Sequence, residues 1–182
     1  MDCLQQPPPL DACQAGVAYA YPWSELITRF KFGAQPQWAA FFASLLLASP
    51  AVQALFTDLS SDDWVLPMPL APERLASRGF NQAWELAKAL GGQSGSAGRL
   101  DARLLLRPLD TPPQSALNRT ARLANVAGAF QVEPLRTKAL AGRRVVLIDD
   151  VMTSGASVYS AAAVLRSAGA AHITAVVLAR TA

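Results

Sequence analysis

The sequence predicts an α/β protein built on a central, mostly parallel sheet flanked by helices. Three observations carry the prediction. Val145 to Ile148 and Ile173 to Leu178 are short, unbroken apolar runs of strand length, as expected for strands buried on both faces. The segment between them, from about Ala156 to Ala168, has the length and pattern of one helix, with Gly169 placed to end it. A β–α–β unit of this kind normally joins two parallel strands by a right-handed crossover.

The remaining elements follow in order. Residues 1–13 are rich in Pro and Gln and read as a loose lead-in. Ser24 is placed to cap a helix whose apolar face is Leu26, Ile27 and Phe30, with Gly33 at its end. Pro36 is placed to open a second helix. Its stripe of Trp38, Phe41, Phe42, Leu45 and Leu46 is expected to be buried, and Ser49-Pro50 to end it. After a polar turn, Trp64 to Leu66 reads as a short strand. Pro67, Pro69 and Pro72 then imply an extended loop. A helix is expected from about Asn81 to Leu90, facing inward with Ala83, Leu86, Ala87 and Leu90. The Gly/Ser-rich residues 91–98 read as a flexible connection. Leu104 to Leu106 and Ala129 to Val132 are candidate strands. The polar residues 107–125, with Pro112-Pro113 and three arginines, read as a mobile loop with some helix.

Composition bounds the function. With 182 residues, 52% hydrophobic and 16% charged, the chain can bury a core and is not a disordered segment. A net charge of +3 suits an anionic ligand but is too small to argue for nucleic acid. Thirteen of the sixteen basic residues are Arg. That bias is accounted for first by a GC-rich coding sequence, although Arg also suits bidentate phosphate contacts. Cys3 and Cys13 have no further Cys or His near them, so no structural zinc is expected in this chain. The longest apolar run, Trp38 to Ala48, is too short to span a bilayer, and no basic-then-apolar leader is visible. A cytoplasmic protein without membrane insertion is the expectation.

The chemistry concentrates in Val145 to Ser157, VVLIDDVMTSGAS. In open α/β sheets, ligands sit beyond the carboxyl ends of the strands, which is where Asp149 and Asp150 fall. Thr153 to Ser157 lead into a helix N-terminus, whose unpaired amides and positive dipole end favour a phosphate. Gly155 allows the backbone a close approach. Hydroxyls of Thr153, Ser154 and Ser157 add donors. A phosphate cradle beside two carboxylates points to a sugar phosphate, with the carboxylates accepting from vicinal hydroxyls or holding magnesium. A purely structural reading also stands, in which Asp149 caps the turn and Ser157 caps the helix. An ATPase acidic strand is excluded because Gly-Lys occurs nowhere in the chain. A receiver domain is excluded because only 32 residues follow Asp150.

This stretch closely resembles the phosphoribosyl pyrophosphate (PRPP) motif of type I phosphoribosyltransferases. Three further segments resemble one branch, the ComF (competence protein F-like) family: ELITRFKFGAQPQWAAFFASLL, WVLPMPLAPERLASRGFNQAWELAKAL and RPLDTPPQSALNRTARLANVAGAF. Together they cover most of residues 19–179. The resemblance implies a phosphoribosyltransferase-like domain over 19–182. Residues 1–18 would be a lead-in, left from the cysteine-rich zinc module with which such proteins commonly begin or from a truncation.

By the family pattern, Asp149, Asp150, Val151, Met152, Thr153, Ser154, Gly155, Ala156 and Ser157 form the PRPP loop. Asp149 and Asp150 would face the ribose hydroxyls, and magnesium would arrive with PRPP. The loop after the Trp64 strand would meet the pyrophosphate. Arg78, Gly79, Asn81 and Gln82 are candidate phosphate or base contacts, with helix capping by Asn81 as the plainer account. Arg119 and Arg122, with Arg107, are candidates to clamp pyrophosphate as the 107–125 segment closes. Lys31 reads as a buried stem with an exposed head, and His172 as structural.

Two functions follow from the resemblance. One is transfer of phosphoribosyl from PRPP to an unknown acceptor with release of pyrophosphate. The other is a non-catalytic PRPP- or nucleotide-binding module assisting DNA uptake. Competence proteins, single-stranded DNA and a second copy in a homodimer are the partners to consider.

Overall fold

The computed structural model describes residues 9–33, 35–108 and 128–181. Its centre is a four-stranded sheet in the order β1-β6-β5-β2, comprising β1 (Ala12–Ala18), β2 (Trp64–Pro67), β5 (Arg144–Met152) and β6 (His172–Arg180). Every pairing in it is parallel. A separate antiparallel pair is made by β3 (Leu105–Leu106) and β4 (Gln131–Val132). The α/β architecture expected from the sequence is therefore the one observed.

Helices cover both faces of the sheet, and side-chain alternation along β5 sorts the core between them. Val145 and Leu147 point to the layer formed by α6 (Ala156–Ser167), where Ala161, Ala162 and Leu165 are buried with Leu104, Phe130 and Leu140. Val146 and Ile148 point to the opposite layer. That layer is made by α1 (Trp23–Phe32), α2 (Trp38–Leu47), α3 (Pro50–Thr57) and α5 (Gln82–Ser94). Its centre is aromatic, with Phe30 and Phe42 packed edge to face at 5.5 Å.

Several local expectations are corrected. Residues 12–18 are not a lead-in: β1 is an edge strand in register with β6 from Ala12↔Thr174 to Ala18↔Arg180. The folded unit thus begins before residue 19. Ala, Gln and Gly are poor strand formers, so local propensity does not reveal β1. Gly16 is nonetheless required there, because a Cβ would stand 2.9 Å from Leu46 Cδ2 on α2 and 3.0 Å from the Leu178 carbonyl.

Ser24 does not cap α1, which opens at Trp23 with no side-chain cap. On α2 the buried residues are Ala39, Phe42, Ala43 and Leu46, while Phe41 is 47% exposed. The prolines at 50 and 72 open helices, α3 and α4 (Pro72–Arg78), because a proline costs no hydrogen bond in a first turn. The 91–98 connection is mostly ordered: α5 continues to Ser94, Gly95 closes it at φ 75°, and a 3-10 turn spans Ala97–Arg99. Among the described residues, no single helix is long and apolar enough to cross a membrane.

Candidate active site

The carboxyl ends of β2, β5 and β6 meet one group of loops, and the candidate residues divide among three of the structures there. The first is the turn from β5 into α6. Gly155 is the N-cap of α6 at φ 77°, a conformation open to glycine. The first intrahelical bond runs from the Tyr159 amide to the Gly155 carbonyl. The amides of Ala156, Ser157 and Val158 therefore open the helix with no carbonyl a turn earlier to receive them. Ser154 Oγ accepts a long contact of 3.5 Å from the Ala156 amide. Thr153 and Ser154 are exposed, whereas Met152 is buried and holds Cys13 Sγ at 3.6 Å from its sulfur. Together with Asp149, residues 151–158 line a hollow of about 60 Å³. This is a small polar cradle at a helix N-terminus, with one carboxylate on its rim, suited to a phosphate. Capping by Ser157, the structural alternative, is not what the turn uses, because the cap position belongs to Gly155.

The second structure is the acidic pair, and its two members occupy different surroundings. Asp149 Oδ1 accepts from the Asp150 amide at 2.9 Å. Its pKa is raised from the ordinary 3.8 to about 7, first by burial and then by the Asp150 charge, with Lys31 opposing. Asp150 is only 3% exposed. Its Oδ1 accepts from the Val151 amide at 2.7 Å, and its Oδ2 stands 3.0 Å from the Lys31 ammonium. That second contact is an ion pair rather than an aligned hydrogen bond.

The third structure is the β2–α4–α5 connection. The Met68 amide donates to the Ile148 carbonyl, which ties the loop after β2 to β5 just before the acidic pair. Arg78 donates to Gln82 Oε1 and lies over the Phe32 ring at 5.0 Å. Burial lowers the Arg78 pKa while the Asp150 charge raises it, which puts the guanidinium within electrostatic reach of the pair. Gly79 closes α4 at φ 81°. Asn81 is the N-cap of α5: its Oδ1 accepts from the Ala83 and Trp84 amides at 2.9 and 3.3 Å, and its Nδ2 donates to the Met68 carbonyl at 3.0 Å. Both ends of Asn81 are therefore committed to holding the loop, as is the buried Gln82 side chain.

Beside this connection lies a wider groove of about 570 Å³, with Leu75, Phe80, Trp84, Leu106 and Gln131 among its walls. Arg107 also borders it and stacks over Phe130 at 5.2 Å. Arg119 and Arg122 lie outside the described residues. Among the described residues, no group of three or more His, Cys, Asp or Glu could hold a metal ion. His172 sits at the opposite end of the sheet, 3.7 Å from Asp11.

Sequence reasoning underrated Lys31, whose head is turned inward onto Asp150. A signal was present. Lys31 is four residues after Ile27, which is fully buried, so the two share one helix face.

This fold and this turn define a phosphoribosyltransferase domain, and residues 102–182 match the family model described as "Phosphoribosyl transferase domain". Over 180 residues the chain is 33% identical to DNA utilization protein YhgH of Escherichia coli O6:H1, covering 98% of this chain and 76% of that one. It is 30% identical over 176 residues to Competence protein F of Haemophilus influenzae, covering 94% and 74%. Competence protein ComFC of Streptococcus pneumoniae is 32% identical over 106 residues, covering 58% and 43%. The chain belongs to the ComF-like family of type I phosphoribosyltransferase proteins.

Proposed function

We propose that the protein binds PRPP and transfers its phosphoribosyl group to an acceptor, releasing pyrophosphate. The observation that carries this reading is the single carboxylate, Asp149, on the rim of the phosphate-sized cradle at the start of α6. The 5'-phosphate takes the amides of residues 155–158 and the hydroxyls of Thr153, Ser154 and Ser157. Asp149 accepts from a ribose hydroxyl. Arg78 and the backbone at Gly79 face the pyrophosphate. The bond from the anomeric carbon to pyrophosphate breaks as the acceptor bonds to that carbon, so the protein's task is chiefly to position both and to balance the departing charge. Asp149 is the carboxylate in the hollow whose oxygen would suit magnesium, and magnesium bound with PRPP would supply positive charge for the pyrophosphate. The acceptor enters through the groove bordered by Phe80 and Trp84, whose volume lies in the usual range of small-molecule sites and whose rings suit a planar group.

The names of the relatives favour a second reading, in which the same site binds PRPP or a nucleotide without turnover, in service of DNA use or competence. Pyrophosphate release separates the two. PRPP and magnesium would be supplied with purine bases, pyrimidine bases or short single-stranded DNA, against acceptor-free hydrolysis. Release above that baseline with any acceptor supports the transferase. Tight PRPP binding with no release supports the module, and no PRPP binding overturns both.

A further inference from the structure

We propose that a recess at the start of β5 and β6, at the end of the sheet opposite the cradle, is a binding site for a small amphipathic anion: a monocarboxylate with an apolar body. The proposal is independent of the PRPP reading, because none of its residues belongs to that site.

The recess holds about 330 Å³, at the lower end of the range of small-molecule sites. The parallel register of β5 and β6 builds its floor from two pairs, Arg144↔His172 and Val146↔Thr174. Residues two apart on a strand share a face, so the basic pair stands at the rim and the Val–Thr pair about 7 Å further in. Leu55 of α3, with Leu59 just after that helix, completes the wall.

The charge of the rim selects the ligand. Among the described residues, the titratable groups lining the recess are Arg144 and His172, and no Asp or Glu lines it. The acids stand behind them. Asp63 takes Nε and Nη2 of Arg144, and the Asp58 carbonyl also accepts from Nη2. Asp11 lies 3.7 Å from His172 Nδ1 and accepts from Arg166 and the Ile173 amide. Arg144 is thus fixed by two of its nitrogens, while Nη1 has no partner among the described residues and the side chain stays partly exposed. A guanidinium held in place with one nitrogen to spare is preorganised for a carboxylate oxygen.

Thr174 supplies an independent observation. It is only 4% exposed, it lines the recess, and among the described residues nothing bonds to its hydroxyl. A buried hydroxyl left without a partner costs free energy, which an oxygen bound in the recess relieves. One hydroxyl and one guanidinium edge match the two oxygens of a carboxylate. The apolar body then lies against Leu55, Leu59 and Val146.

The test titrates the full chain with octanoate, octan-1-ol and octylammonium at one pH, followed by amide NMR shifts. Octanoate is expected to bind with a dissociation constant of about 1 mM or below. Its shifts should cluster at residues 144–146 and 172–174. Octan-1-ol should bind about ten-fold more weakly and octylammonium not at all. Thr174→Val keeps the volume and removes the hydroxyl. It should weaken octanoate about ten-fold, the scale of a hydrogen bond to a charge, with the thermal unfolding midpoint unchanged or raised. Leu55→Trp fills the recess and should abolish binding in a chain that still unfolds cooperatively.

Equal affinity for octanoate and octan-1-ol would overturn the anionic ligand. Shifts clustered at the start of α6 or beside Trp84, or no binding by the parent chain, would overturn the site. Unchanged octanoate affinity in Thr174→Val would remove the hydroxyl from it, and that variant decides the matter even if Leu55→Trp fails to fold.

Discussion

The ring of Tyr159 fills the space that a side chain on Gly155 would take: a Cβ there would stand 2.6 Å from Tyr159 Cε2 and 2.6 Å from Met152 Cε. Gly155 is thus required twice, by its φ of 77° and by the packing beneath the cradle. Gly155→Ala is expected to cost about 1–3 kcal/mol of stability from backbone strain, with crowding added. It should also abolish phosphate binding at the turn. Urea unfolding and phosphate titration followed by NMR check this, and a variant that still binds phosphate at the α6 start would remove the cradle from the site.

The raised pKa of Asp149 gives two pH dependences of opposite sign. Its folded pKa of about 7 lies above the unfolded 3.8. The free protein therefore holds a proton there that the unfolded chain has lost, and its stability falls as pH rises from about 4 to 7. On the proposed reading the ribose hydroxyl donates to Asp149, which accepts best in its ionised form. Affinity for PRPP is accordingly expected to rise through pH 7, more than PRPP's own titration accounts for. Asp149→Asn provides the control: both slopes should flatten in it. Parallel pH profiles for parent and variant would show that Asp149 does not titrate in this range.

At the opposite end of the sheet, Asp63 is buried against Arg144, whose Nε and Nη2 approach at 2.9 and 2.7 Å. Burial works against its charge, yet hydrogen bonds from Arg144 and Ser60 prevail and lower its pKa to about 2. The stabilisation is present above pH 3.8 and is lost as pH falls through about 2. Asp63→Ala is expected to destabilise by about 2–4 kcal/mol, below the full cost of a broken buried pair because Arg144 is partly exposed. Denaturant unfolding reads the loss, and PRPP affinity measured under folding conditions should be unaffected.

Asn81 joins the cap of α5 to the loop after β2. Asn81→Ala removes both functions and is expected to cost about 1–2 kcal/mol. Asn81→Asp keeps the cap, loses the donation to Met68 and should fall between the two. An Asp variant as weak as the Ala variant would place the energy in the Met68 contact rather than in the cap.

The parts read correctly from sequence are those whose cause is local. The turn from β5 into α6 is written in consecutive residues: a buried strand, Asp149, small polar side chains, then Gly155 where φ must be positive. Asn81 as a cap is equally local, needing only the next three residues. Sheet strands covered on both faces announce themselves as apolar runs, so β5 and β6 were legible although each proved longer than its apolar core.

What the tertiary structure decided is pairing across long separations. β1 is poor in strand formers and exists because β6, some 160 residues later, supplies a parallel partner and α2 leaves room only for Gly16. Pro50 and Pro72 look like breaks but open helices, since only the surrounding fold determines whether a proline ends one segment or begins the next. The acidic pair is the sharpest case. Two adjacent aspartates look equivalent in sequence. Only folding brings Lys31 of α1 to the end of β5, 3.0 Å from the buried Asp150, and only the fold shows that Asp149 lines the hollow at the start of α6.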